Sequence, residues 1–130
     1  MNYVYPVVFS KESDGSYCVF APDLPGCVTE ARDYAEGIEK IRSGICGMLY
    51  VMERDKMQIP EASEPTEIER EEGDFVSLVD ADLFEYKRRI GTRAVRRTIS
   101  VPEYLDDMAS RAGVSLSQGT QDALRAMFLQ

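Results

Sequence analysis

The chain has 130 residues, 44% apolar and 29% charged with a net charge of −8, a composition that suits one compact globular domain or two small ones. It contains no histidine, which excludes Ser-His-Asp and Cys-His catalysis, and its three cysteines, Cys18, Cys27 and Cys46, include no CxxC pair to anchor zinc. No run of 18 apolar residues offers a membrane span and the opening MNYVYPVVFSKESDGSYC lacks the pattern of a secretion signal, so a cytoplasmic protein with buried or half-buried thiols and no metal or cofactor is expected.

The first predicted element is a strand at residues 3–9, YVYPVVF, which is β-branched and aromatic. The turn-rich SKESDGS, centred on Asp14 and Gly15, leads into a second strand, YCVFA, and the pair reads as a hairpin with a loop of about seven residues. PDLPGC then makes a rigid turn, with Pro22 and Pro25 restricting φ and Gly26 free to take a positive one, before a short third strand, CVTE. Asp33 followed by Glu36 is a helix start signal. Ile38, Ile41, Ile45, Met48, Leu49 and Met52 recur at three- and four-residue steps, predicting a helix over residues 34–54 with one core-facing stripe. Gly37, Gly44 and Gly47 each weaken such a helix by about 1 kcal/mol relative to alanine, so close packing on the sheet is expected to compensate. The acidic loop PEASEPTEIEREEGD, a fourth strand FVSLVD and a short helix ADLFEYKRRI follow, with Leu83 and either Tyr86 or Phe84 facing inward.

Charge changes sign along the chain. Residues 1–86 hold 19 Asp and Glu against 7 Lys and Arg, a net of −12, while residues 87–130 hold 4 against 8, a net of +4. KRRIGTRAVRR, residues 87–97, has six basic residues and no acidic one. With Gly91 and Thr92 as the natural break, three parts are expected: an acidic unit over residues 1–86, a basic linker over 87–93, and a C-terminal unit over 94–130.

From Val95 the pattern alternates, with Arg96, Thr98 and Ser100 on one side of a predicted strand and Val95, Arg97, Ile99 and Val101 on the other. Pro102 suits the first turn of a helix striped by Leu105, Met108, Ala109 and Ala112 and stopped at Gly113. Ser115 with Gln118 is a capping box opening a second helix, whose inner face is Leu116, Thr120, Ala123, Leu124 and Met127. One strand and two short helices bury too little apolar surface to stand alone, so this unit is expected to dimerise, with pairing of dimers into tetramers left open. Two such strands paired about a twofold axis present Arg96, Thr98 and Ser100 twice on one polar face that fits the major groove of DNA. The free N–H groups from Ser115 to Ser117 would then clamp a phosphate, and Arg93 would touch the phosphate backbone. Ser100 has a plainer alternative, a capping box with Glu103.

RRTISVP and AGVSLSQ resemble the ribbon-helix-helix DNA-binding module of the methionine and Arc repressor type. By that resemblance Arg96, Thr98 and Ser100 match the base-reading strand positions, and Ser117 the phosphate-clamping helix start. DGSYCVFAPDLPGCVTEA, followed by the long helix and FVSLVD, is similar to the HicB antitoxin family. The resemblance implies an α+β protein, a degraded RNase-H-like sheet followed by a ribbon-helix-helix dimer. It further implies an antitoxin that neutralises a small basic HicA-type mRNA interferase and represses their shared operon by binding operator DNA. The physics agrees, since an acidic unit attracts a basic RNA-binding protein and occupies the place of its polyanionic substrate. The competing readings are a lone repressor whose N-terminal unit senses a small molecule, and a nuclease built on Asp14, Asp23 and Glu30. The nuclease is disfavoured because these residues show no convergent set. A non-enzymatic protein is expected.

Overall fold

The predicted strand at residues 3–9 is the middle of a longer one, β1 (Asn2–Lys11), in the computed structural model, which describes residues 2–129. β2 (Tyr17–Phe20) follows after residues 12–16, a tighter loop than expected. Gly15 there takes φ of 90°, and the Asp14 carboxylate accepts from the Ser16 N–H at 2.9 Å and hydroxyl at 2.6 Å. β3 (Val28–Ala31), α1 (Tyr34–Arg54), β4 (Phe75–Asp82) and α2 (Leu83–Ile90) complete the first compact unit, Met1–Arg93. The four strands form one antiparallel sheet in the order β3-β2-β1-β4, with Phe9 opposite both Val19 and Phe75.

Alternation along the strands and the helical stripe meet in one core. Tyr5, Val7, Phe9, Val19, Val79 and Ala81 face Ile41, Ile45 and Leu49 of α1, and Leu24 closes the cluster from the turn before β3. Each such aliphatic side chain, fully buried, contributes about 1.5–3 kcal/mol. Asp33 caps α1, its carboxylate accepting from the Glu36 N–H at 2.8 Å, while Glu36 reaches back to the Arg32 N–H and guanidinium. Leu83 is buried and Tyr86 half-buried, whereas Phe84 is exposed.

The three glycines of α1 prove unlike one another. A Cβ on Gly37 would lie 2.7 Å from the buried ring of Phe9 and 3.2 Å from Val19, whereas one on Gly44 would meet only Cys27 Sγ at an ordinary 3.5 Å. Gly37→Ala is therefore expected to destabilise by about 1–2 kcal/mol, overpacking outweighing the gain in helix propensity, and Gly44→Ala to stabilise by about 1 kcal/mol. Urea midpoints of the two variants check both signs.

Residues 87–90 of the expected basic linker belong to α2. Lys87, Arg88 and Arg89 form the last turn of α2, where cations suit the helix dipole. Lys87 pairs with Glu53 of α1, and Arg89 lies 5.9 Å over the Tyr86 ring. With the division after Arg93, the first unit carries 19 acidic against 11 basic residues, a net of −8, and the second, Ala94–Gln130, carries 4 of each.

The second unit holds α3 (Glu103–Ala112) and α4 (Leu116–Phe128). Pro102 stands just before α3, not in its first turn, and no side chain caps that helix, so the Ser100–Glu103 box does not form. Gly113 ends α3 in the left-handed region at φ 69°, with the Val114 N–H closing onto Ala109 O at 2.9 Å. Ser115 caps α4 by accepting from the Gln118 N–H at 3.3 Å, and the Gln118 side chain turns forward to Asp122 instead of completing the box. Residues 95–101, predicted as a strand, carry no strand pairing in the single chain, because a strand is made by its ladder and the unit offers no second one.

Candidate functional site

In the first unit the DLPGC turn is an anchor. Leu24 is fully buried, Gly26 takes φ of 89°, and the turn closes through the Ala21 N–H to Cys27 O at 3.0 Å and the Cys27 N–H to Leu24 O at 2.9 Å. The Asp23 carboxylate accepts from the Ser63 N–H at 2.9 Å and from its hydroxyl at 2.5 Å, and the Tyr5 hydroxyl donates to Pro60 O at 2.5 Å. Burial, reinforced by Tyr3 and Asp23, pushes the Tyr5 hydroxyl pKa up. Three hydrogen bonds thus hold the start of the acidic loop on the folded body. The loop displays Glu61, Glu64, Glu67, Glu69, Glu71 and Glu72, and among the described residues no ion pair within 4.0 Å neutralises any of them. A pinned surface of uncompensated carboxylates suits a cationic partner.

Several carboxylates elsewhere are engaged locally. The Ser16 hydroxyl lowers the pKa of Asp14, the Arg32 guanidinium that of Glu36, and the Arg42 guanidinium that of Asp80. A depressed carboxylate stabilises the fold above its unfolded pKa and ceases to do so as pH falls through the folded one, so these contacts weaken in acid. Asp14 and Asp23 are each bonded to a serine, and no group of three His, Cys, Asp or Glu among the described residues could hold a metal. The groove of about 610 Å³ lined by Glu30, Arg32, Glu36 and Lys40 is charged and open, unlike the apolar concavity of a metabolite site. Cys27 and Cys46 are buried and Cys18 half-buried, each with its thiol pKa raised by burial.

In the second unit no described residue is buried. Val95 is 68% exposed, Ile99 51%, Leu105 43% and Leu124 48%. Val95, Ile99, Leu116 and Leu124 line an open groove of about 730 Å³ along the 94–99 segment and α4. Arg96, Thr98, Ser100, Ser115 and Ser117 are all exposed within this unit, and Arg93 is exposed at the end of the other. Of the unit's four arginines, Arg111 pairs with Asp107 at 3.1 Å and Arg125 with Asp122 at 3.3 Å, whereas Arg96 and Arg97 meet no carboxylate within 4.0 Å among the described residues. Though the unit is neutral, its free positive charge sits on the segment ahead of α3. Ser115 spends its hydroxyl on the cap, so any anion at the start of α4 would meet the N–H groups of Leu116 and Ser117, which have no partner within the helix. No helix among the described residues is long and apolar enough to cross a membrane.

A family model described as a HicB-like antitoxin of a bacterial toxin-antitoxin system matches residues 5–123. A UPF0150 protein of Thermoplasma acidophilum is 32% identical over 56 residues, which cover 43% of this chain and 81% of that protein. A solved toxin-antitoxin complex from Streptococcus pneumoniae aligns with a TM-score of 0.62 at 20% identity, covering 98% of this chain and 99% of that one. The Burkholderia pseudomallei antitoxin HicB aligns with a TM-score of 0.55 at 20% identity, covering 95% and 96%. The architecture of a four-stranded antiparallel sheet with four helices is thus shared with these structures.

Proposed function

The chain belongs to the HicB-like antitoxins of bacterial toxin-antitoxin systems, regulatory proteins and not enzymes, and we propose that it has two tasks there. The first unit binds and silences a HicA-type mRNA interferase. The second is a ribbon-helix-helix that dimerises the chain and represses the shared operon at operator DNA.

The observation that carries the first task is the pinned, unneutralised acidic loop in a unit of net charge −8. A toxin that cleaves RNA must attract a polyanion, and the same field draws it to this surface. The second task is supported by the second unit's uncovered apolar side chains together with Arg96 and Arg97, free of carboxylates on a segment that can pair with its symmetry mate. In a twofold ribbon Arg96, Thr98 and Ser100 would face the major groove, with Arg93 and the α4 start near Ser115 and Ser117 on phosphates.

RNA cleavage by a HicA-type partner, with rising amounts of this chain, tests the first task; unabated cleavage at saturation would remove it. For the second, Arg96→Ala is expected to cost about 1–3 kcal/mol at the operator and little on unrelated DNA, as loss of a bidentate base contact would. Equal loss on both DNAs in a gel-shift titration would reduce Arg96 to a backbone contact.

A further inference from the structure

The sheet has two edges, and they are protected unequally. β3 is only four residues long, and Lys40 Nζ donates to its Glu30 O at 3.1 Å. β4 runs for eight residues, FVSLVDAD, without the lysine, proline or brevity that usually blunts an edge. Its free groups can be assigned from the register. Pro6 stands opposite Leu78 and has no N–H to give, so this is a non-hydrogen-bonded pair, and by alternation Val76, Leu78 and Asp80 direct their N–H and C=O away from β1. Arg42 bears this out by reaching round that edge, Nε donating to Asp80 O at 2.9 Å and Nη2 to Asp80 Oδ1 at 2.8 Å. The C-terminal half of the edge is therefore occupied. At the other half, Leu78 is 57% exposed and no hydrogen bond from outside the β1 ladder involves the N–H of Val76 or Leu78 among the described residues.

Beside this open half, on the α1 side, lies an apolar groove of about 440 Å³ lined by Phe9, Tyr34, Ile38, Phe75 and Ser77. Phe75 stacks on Phe9 with centroids 5.0 Å apart, and Tyr34 stands nearly perpendicular to both at 5.3 and 5.7 Å. Tyr34 is 51% and Phe75 38% exposed, in the manner of rigid aromatic anchors at interface centres. Phase ties the two features together. Phe75 and Ser77 point to the α1 face while Val76 and Leu78 offer backbone along the edge, so a segment paired with β4 sends every second side chain toward the groove. Glu71, Glu72 and Asp74 stand immediately ahead of the strand, giving an acidic rim.

We propose that the β4 edge from Phe75 to Leu78 receives an extended segment of the toxin, a basic polypeptide, as a fifth strand with an apolar side chain seated in the aromatic groove. This rests on the antitoxin reading above. A second copy is the poorer occupant, since it would set two acidic rims on two units of net charge −8 against each other, whereas a cationic segment is drawn to the same rim.

The test uses the full-length chain and its HicA-type partner. Hydrogen exchange should show the Val76 and Leu78 amides gaining protection in the complex. Leu78→Pro, which deletes an outward N–H without touching the β1 ladder, and Phe75→Ala should each weaken toxin binding at least about tenfold while leaving operator binding unchanged. Unchanged exchange at both amides, or wild-type affinity in a folded variant, overturns the proposal. So does protection that grows with the concentration of this chain alone, which would assign the edge to self-assembly. The exchange measurement on wild-type protein decides the matter even if Leu78→Pro does not fold. A wild-type chain that fails to bind the toxin removes the antitoxin reading and this edge with it, whereas binding with unaffected variants removes only the edge.

Discussion

Ile99→Asp is expected to turn the protein from a dimer into a monomer and to lower operator affinity by roughly a thousandfold or more, to the level of non-specific binding. The second unit has 37 residues and not one buried side chain among those described, yet it presents Val95, Ile99, Leu105, Leu124 and Met127 at 41% exposure or more. Surface of that kind is stable only when covered, each large aliphatic contributing about 1.5–3 kcal/mol on burial. Ile99 lies in the groove beside Leu116 and Leu124, and an unpaired carboxylate there would have to be desolvated for a second copy to close over it. Two of the reading strands would then never be set side by side. Sedimentation of the wild-type chain provides the reference: a monomer persisting at micromolar concentration would remove the ribbon, and the DNA-binding mechanism with it.

What could be read ahead of the structure was local and periodic. The Ile41, Ile45, Leu49 stripe, the Asp33 and Ser115 caps and the Gly113 stop each depend on residues within a turn or two of one another, and each stands where its spacing puts it. What could not be read was long-range. Asp23 was conspicuous in its turn, but Ser63, the residue that uses it, lies 40 positions away in a loop with no periodicity. Arg42 and Asp80 are 38 apart and meet only because α1 crosses the sheet beside β4. The basic run shows the same division between local and long-range signals. Its helix over ADLFEYKRRI was legible, but the partners that fasten it were not: Lys87 meets Glu53 and Tyr86 packs against the core only through the tertiary fold. The consequence is physical: the charge reversal at residue 87 is not a boundary between folded bodies. The division after Arg93 leaves the second unit neutral and concentrates its unpaired positive charge on Arg96 and Arg97. The edge of β4 was equally hidden, because which strand ends a sheet follows from pairing order and not from the strand's own residues.

A fragment of residues 1–93 is expected to silence the toxin and to bind no operator. The cut belongs after Arg93 and not at residue 86, since α2 is part of the first unit: Leu83 and Tyr86 pack on its core, and Lys87 ties the helix to α1. Ending at 86 would discard that last turn and loosen Tyr86, whose hydroxyl lies against Gly47 of α1. The 1–93 fragment keeps the four-stranded sheet, the whole core cluster, the pinned acidic loop and the open edge of β4. It loses Arg96, Thr98, Ser100 and the uncovered apolar side chains of the second unit. Inhibition has to be measured up to saturating fragment, so that a mere loss of affinity relative to the full chain is not read as loss of binding. The measurement is RNA cleavage by the HicA-type toxin against fragment concentration, with a gel shift on operator DNA alongside. Complete inhibition with no shift would establish two separable tasks. A folded 1–93 fragment that leaves cleavage untouched at saturation would mean that the second unit takes part in inhibition, and would overturn the assignment of toxin binding to the sheet alone.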